Sequence, residues 1–367
     1  MRKIKRRGEE EKDQAKRIKR EILRRDDPDS PVEFLNSGCT TLNLALSGKG
    51  QDGGWGRGRI FNIVGDGSSG KTLLALEASF GFFNRIKKIK SIIFPKVKKF
   101  TICFDNGEGV MDFPVKKMYG KKFYKTVDWK RSPNFESMCR RFIRLSTALK
   151  KGEALLYVID SWDSFQSAKS KKDFMESVQK DEELKGDYDL AVQKYASRKF
   201  FPNFCDKMDH NQVDATLCII SQVRARIARF GKTQYRAGGK ALDFYTHQVA
   251  WIREVERMTK KKHGEGRVYS IKSHAKVERS KVAKPFRESE FIILYDYGLD
   301  NLSSMIDYLW GKGKITFHGT EFNNRLQFIK YIERNNFEGD LIHKTEKRWN
   351  KVEEAFEKEV RKRKSRY

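Results

Sequence analysis

Nowhere in its 367 residues does the chain carry the run of about 18 apolar residues that a membrane span needs. Nor does it show the basic, apolar and small-residue sequence of a secretory signal. The expectation is a cytoplasmic protein with no membrane partner. Cysteine is scarce: Cys39, Cys103, Cys139, Cys205 and Cys218 are odd in number and scattered, and several sit inside apolar runs. That pattern argues against a disulfide framework and fits buried thiols in a reducing compartment. The six histidines do not join them at ligand spacings, so a zinc site is not expected. Acid is also in deficit. Against 77 Lys and Arg stand 49 Asp and Glu, a formal charge of +28. Few globular enzymes carry such an excess unless a polyanion is a partner; nucleic acid comes first, an anionic membrane surface second. Hydrophobic residues make up 38% of the chain, which is low but enough for a core.

The strongest local signal is Phe61–Leu76. Mostly apolar residues run into Gly65, and a Gly-x-x-x-x-Gly-Lys-Thr octet then opens an apolar, helix-forming segment. Strand, phosphate loop and helix in that order are a P-loop. Gly65, Gly67 and Gly70 let the backbone bend so that successive N–H groups face one anion, at the positive end of the following helix dipole. Gly65, Asp66, Gly67, Ser68, Ser69, Gly70, Lys71, Thr72 and Leu73 are therefore candidates for holding a nucleoside triphosphate. Lys71 reaches the β/γ-phosphates, and the Thr72 hydroxyl is placed for Mg²⁺.

Around this loop the pattern is α/β. The runs Arg59–Val64, Phe100–Phe104, Ala154–Ile159 and Ala215–Ile220 are mostly apolar rather than alternating, and helix-length segments separate them. Strands of a parallel sheet covered on both faces read this way. Residues 38–46 suggest a short capped helix. In open α/β sheets ligands bind beyond the carboxyl ends of the strands. Here those ends lead into the P-loop, Glu108, Asp160 and Gln222. Asp160 has the position that coordinates Mg²⁺ with Thr72; Glu108 could accept a proton from attacking water, and Gln222 could sense the γ-phosphate.

Past Gln222 the chain is cationic. Arg224, Arg226, Arg229, Lys232, Arg236 and Lys240 occur with no acid between them, and Phe230 and Tyr235 are interleaved. Cations for phosphates with aromatics for bases suit single-stranded nucleic acid, although a plain solvated basic loop has the same composition. Arg279 and Lys281, two apart in an extended run, point to one face. Trp349, Val352, Phe356 and Val360 recur at helical spacing, which suggests a packing face.

Ile220–Gly231, Gly238–Tyr245, Lys281–Phe286 and Glu290–Tyr295, in this order, resemble the RecA family of recombinases. The likeness covers roughly residues 36–300 and extends weakly into a C-terminal lid at Ile315–Gly319 and the helical segment after Asn323. It implies a RecA-like P-loop core, with a mostly parallel twisted sheet flanked by helices. Residues 1–35 would form a basic helical arm for oligomerisation or DNA contact, 36–300 the ATPase core, and 301–367 a small, mostly helical domain with a basic tail. ATP and Mg²⁺ are the implied cofactors, with Glu108 as general base and Asp112 at the adenine. The implied DNA-binding loop runs through Val223–Lys240 and includes Gly238 and Gly239; a first DNA loop would lie near Lys185–Tyr188. Arg279 and Lys281 would reach a neighbouring subunit's ATP, making catalysis depend on a head-to-tail helical filament on DNA, single-stranded and double-stranded.

Three features depart from the family pattern. Glu108 follows Asp105 by three residues instead of two; arginine replaces the usual first lysine of the trans pair at Arg279; and the C-terminus is basic rather than acidic. They lean towards a phage-encoded version, nucleoid-associated in a bacterial host. Two rivals share much of this chemistry, a hexameric helicase-like ring motor and a non-hydrolysing, ATP-gated recombination accessory. The Glu108 spacing is what keeps the latter in view.

Overall fold

The computed structural model describes residues 31–109, 111, 114–180, 192, 194–205, 213–225, 234–236, 239–311 and 313–360. Outside them lie the basic arm over residues 1–25, Asp112, the first DNA loop near residues 185–188, Arg226, Arg229, Phe230, Lys232, Gly238 and the basic tail. Strands β1 (Phe34–Leu35) and β2 (Trp55–Gly56) form a small antiparallel pair. The main sheet contains β3 (Ile60–Gly65), β4 (Lys99–Asn106), β5 (Val127–Lys130), β6 (Glu153–Asp160), β7 (Ala215–Ala225), β8 (Gln234–Arg236), β9 (Gln248–Lys262), β10 (Glu265–Ser280), β11 (Glu288–Leu294) and β12 (Gly298–Asp300). Its order is β12-β11-β10-β9-β3-β7-β6-β4-β5, with β8 on β7. Pairing is parallel from β9 through to β5 and antiparallel from β9 to β12.

The mostly apolar runs follow from burial on two faces. Along β6, Ala154, Leu156 and Val158 enter one cluster, with the helix α2 (Lys71–Arg85), which follows α1 (Thr40–Ser47). Leu155, Tyr157 and Ile159 enter a second cluster under α4 (Phe135–Thr147), which follows α3 (Val115–Thr126). In β7, Cys218 and Ile220 face the first, Leu217 and Ile219 the second. A period-two strand with both faces covered shows no alternation in sequence. Each fully buried Leu or Ile contributes roughly 1.5–3 kcal/mol. The second face is closed by a π-helical turn (Ala196–Phe200), Phe201 and Phe204 just after it, and α6 (Gly239–Tyr245); α5 (Ala168–Lys180) places no residue in that cluster and leaves Phe174 and Met175 exposed.

Three expectations change. The helix near residue 40 is Thr40–Ser47, and its N-cap, Cys39, makes no side-chain capping bond. Strand β7 runs five residues past Ile220, and β8 pairs back onto it (Val223 with Arg236, Ala225 with Gln234), so the cationic segment is rooted in a strand pair. The apolar stripe on the last helix does not pack as a whole. That helix, α9 (Glu338–Glu359), follows α7 (Asn301–Leu309), the hairpin β13 (Ile315–Phe317) and β14 (Thr320–Phe322), and α8 (Arg325–Asn335). Leu341 joins a small core with Met305, Ile306, Phe317, Phe328 and Ile332, and Trp349 lies against Tyr308. Val352, Phe356 and Val360 are exposed, because Glu353 and Glu357, on the adjoining stripe, dock the helix through Lys284 and Arg287 instead. Among the described residues no helix is long and apolar enough to cross a membrane.

Candidate nucleotide site and the root of the cationic segment

β3 delivers Gly65 beside Gln222 of β7, and β4 delivers Asn106 beside Asp160 of β6, so four parallel strands end at one edge. From Gly65 the chain turns through residues 66–70 into α2. The turn is closed from within: Ser69 Oγ donates to the Asp66 carbonyl at 2.8 Å, and Lys71 Nζ to the same oxygen at 2.5 Å. It is held from outside by β10, where Ser273 Oγ donates to the Ser69 carbonyl at 3.2 Å. The backbone conformation at Gly70 is what favours glycine there. Its φ is +95°, and a Cβ there would stand 2.4 Å from Ile293 Cδ1. As N-cap of α2 it offers no side-chain cap, so the N–H groups of the first turn face the loop, where an anion can take them.

Thr72 Oγ1 donates to Asp160 Oδ2 at 2.8 Å. Asp160 is 3% exposed, and its other oxygen, Oδ1, is buried without a hydrogen-bond partner among the described residues. A buried carboxylate oxygen left over beside a threonine hydroxyl fits a hard cation that takes its remaining ligands from phosphate and water. Thr72 and Asp160 are the residues that can hold magnesium. Burial lifts the Asp160 carboxyl from 3.8 to about 6, Thr72 opposes the rise, Glu108 adds to it and Lys71 opposes it. The raised value means the buried acid favours folding fully below 3.8 and loses that contribution as the pH rises through about 6. A cation must displace that proton. Titrating the protein with preformed Mg·ATP near pH 6, in buffers of different ionisation enthalpy, is expected to show proton release. The release should fade well above that pH and vanish in Asp160→Asn.

Glu108 reaches this edge despite its extra residue. The Asn106 side chain accepts from Glu108 N at 2.9 Å and donates to the Gly109 carbonyl at 3.0 Å, folding the added residue into a turn. Gly107 N donates to the Asp160 carbonyl at 2.7 Å. A Cβ on Gly107 would lie 2.4 Å from Ser164 Oγ, so only glycine allows this approach. Glu108 Oε1 then accepts from Ser161 Oγ at 2.6 Å and from Gln222 Nε2 at 2.8 Å. Asp105 is turned inward, where Ser132 and Tyr157 donate to it. Burial lowers the Lys71 pKa, and Glu108, Asp160, Asp66 and Asp163 pull it back.

Ser68, Thr72, Asn106, Glu108 and Asp160 line one side of a cleft of about 590 Å³; the other side is mostly apolar, formed by Met111, Pro114, Met118, Ile293 and Tyr295, with the acid Asp296 beside them. This second wall was not found by sequence reasoning, and Ser161 was not recognised as a partner of Glu108. Its position directly after Asp160 was the available signal.

Among the cations expected to meet DNA, Arg236 needs correcting. It is 9% exposed, donates to Asn62 Oδ1 at 2.8 Å and pairs with Asp243. Its guanidinium braces the base of the segment rather than facing solvent. Arg224 is carried on β7, and Gly239 and Lys240 open α6. Arg279 and Lys281 do not line the cleft. Arg279 pairs in register with Val249, itself beside Asn62 and so well short of the P-loop end. Lys281 lies just past β10, with Nζ donating to the Phe244 carbonyl at 2.6 Å.

A family model of the RecA N-terminal domain matches residues 178–300. Protein RecA of a Nitratiruptor species is 30% identical over 284 residues, covering 76% of this chain and 71% of that one. Protein RecA of a Picosynechococcus species is 26% identical over 314 residues, 83% of this chain and 79% of its own length. That of Fusobacterium nucleatum is 29% identical over 301 residues, 81% and 69% respectively. On that extent of likeness, this chain belongs to the RecA family.

Proposed function

We propose that the chain is a DNA-stimulated ATPase that assembles head to tail on single-stranded DNA and pairs it with a homologous duplex in recombination and repair. One residue carries the reading. The Gln222 side chain donates to Glu108 Oε1 at 2.8 Å, while its backbone leads into the β7–β8 root of the cationic segment. A change of position in that segment on DNA must therefore reach the acid that would take a proton from water. The triphosphate would lie on the loop N–H groups with Lys71 on its β/γ oxygens and the base in the apolar wall. Magnesium held by Thr72 and Asp160 would neutralise charge as the phosphoryl group leaves. Gln222 and Ser161 hold Glu108 by one oxygen, which leaves the other for the proton.

Arg279 and Lys281 stand away from their own cleft, which supports a role towards a neighbouring subunit's nucleotide. A cation supplied in trans stabilises transition-state charge only after assembly, and a head-to-tail interface that does not close makes a filament. The charge of +28 suits DNA as the scaffold, in the cytoplasm on the nucleoid. The turn at Asn106 accommodates the extra residue before Glu108, which supports hydrolysis over a non-hydrolysing accessory. Phosphate release measured with and without single-stranded DNA, beside electron micrographs of the same samples, tests the reading. Stimulation of several-fold with open helical filaments is expected. Closed rings would make the chain a ring motor, and negligible turnover at saturating DNA would make it an accessory.

A further inference from the structure

Where β7 outruns β6 it has, among the described residues, no further pairing with that strand. The two strands pair only as far as Ile159 with Ile219, whereas β7 stays paired with β3 to Gln222. The Gln222 N–H nevertheless has an acceptor: Asp163 Oδ2, at 2.7 Å. A bond from a backbone N–H to a carboxylate is charge-assisted and short. The carboxylate is itself on a firm mount. Asp163 lies in the 3₁₀ turn Trp162–Ser164, closed by a reciprocal Ser161–Ser164 capping box. Trp162, 1% exposed, stacks on Phe201 and meets Phe135 edge-on.

We propose that Asp163 is a positioning residue: it holds the Gln222 backbone beyond the end of the β6–β7 pairing and so fixes the root of the cationic segment against the Glu108 carboxylate. Gln222 is then gripped twice, by Asp163 at its main chain and by Glu108 at its amide. With the main chain held, a pull from the DNA side rotates the Gln222 side chain on Glu108. With it released, the same pull moves the whole residue and the message is lost. This inference rests on the DNA-stimulated reading above.

The test uses the full chain with Asp163→Ala and with Asp163→Ser, whose side chain is too short to reach, against Asp163→Asn, whose amide oxygen can still accept. Hydrogen exchange at residues 220–223, with a non-hydrolysable ATP analogue, reads the grip directly. DNA stimulation of turnover, with KM and kcat for ATP separated, reads the coupling. In Ala and Ser, exchange should rise and stimulation fall by about fivefold or more through kcat, at unchanged melting temperature. Asn should restore both. Unaltered exchange in Ala and Ser would overturn the proposal, as would faster exchange with stimulation intact. If the wild-type chain itself shows no stimulation, the function reading fails, and exchange alone then upholds or rejects the grip.

Discussion

Replacing Lys71 with alanine is expected to lower DNA-stimulated phosphate release by about 10²–10³-fold, the loss typical of removing one preorganised charge partner from a transition state. Alanine is the best helix former, and Lys71 is the first residue of α2, so the helix and its N–H groups stay where they are. What disappears is the cation facing Glu108, Asp160, Asp66 and Asp163, together with its bond to the Asp66 carbonyl, which leaves Ser69 to close the turn. Those acids would then confront a triphosphate with no ammonium between them, and nucleotide affinity should fall along with turnover. A raised KM together with a lowered kcat, at unchanged melting temperature, is the expected signature. Full turnover in Lys71→Ala would mean the site has been misassigned.

Glu108→Gln should separate proton transfer from positioning. The amide oxygen of glutamine can accept the same two bonds that Ser161 Oγ and Gln222 Nε2 now make to Oε1. It cannot take a proton from water. Loss of a positioned general base costs about 10²–10⁴-fold in rate, so kcat should drop by that factor while KM for ATP stays near its wild-type value. DNA binding should persist, since nothing in the cationic segment is touched. A variant with wild-type kcat would move the base elsewhere, and Asp163, which already accepts from Gln222 N, would be the first group to examine. The two substitutions thus fail in different ways.

How much of this could be read from residue order depends on how local each signal is. The P-loop is contiguous, and its strand, turn and helix need no distant partner to be recognised. The strand ends were legible because burial on both faces leaves an unbroken apolar run, as in Ala154–Ile159. The long ribbon of β9 and β10 was not. Past Ile252 most of the β9 residues face water, so neither alternation nor an apolar run marks that strand, and the alternation of Ile271–Glu278 in β10 has no evident partner in the sequence. Arg236 reads as one more cation in a basic stretch; only the fold brings Asn62, 174 positions away, to its guanidinium. The apolar wall of the cleft joins Met111 and Met118 to Ile293 and Tyr295, residues whose meeting depends on where the sheet order sets β11. The stripe Val352–Phe356–Val360 has helical spacing, yet its neighbours Glu353 and Glu357 decide which side of α9 is held down. Spacing names a face; it does not say what the face meets.

Strand β10 touches the phosphate loop at Ser273 and ends beside Lys281 after passing Arg279. Six residues of extended chain separate Ser273 from Arg279, roughly 20 Å at 3.3 Å per residue, and strands bonded on both sides stiffen this span over most of its length. A shift of the loop by a few tenths of an ångström therefore has little slack to vanish into before it arrives at the paired cations. Register against β9 shifts at Ser273 itself and again between Val277 and Arg279, and the second shift acts as an elbow just before the cations. Stiffening or straightening that elbow would change how faithfully one end of the rod reports to the other.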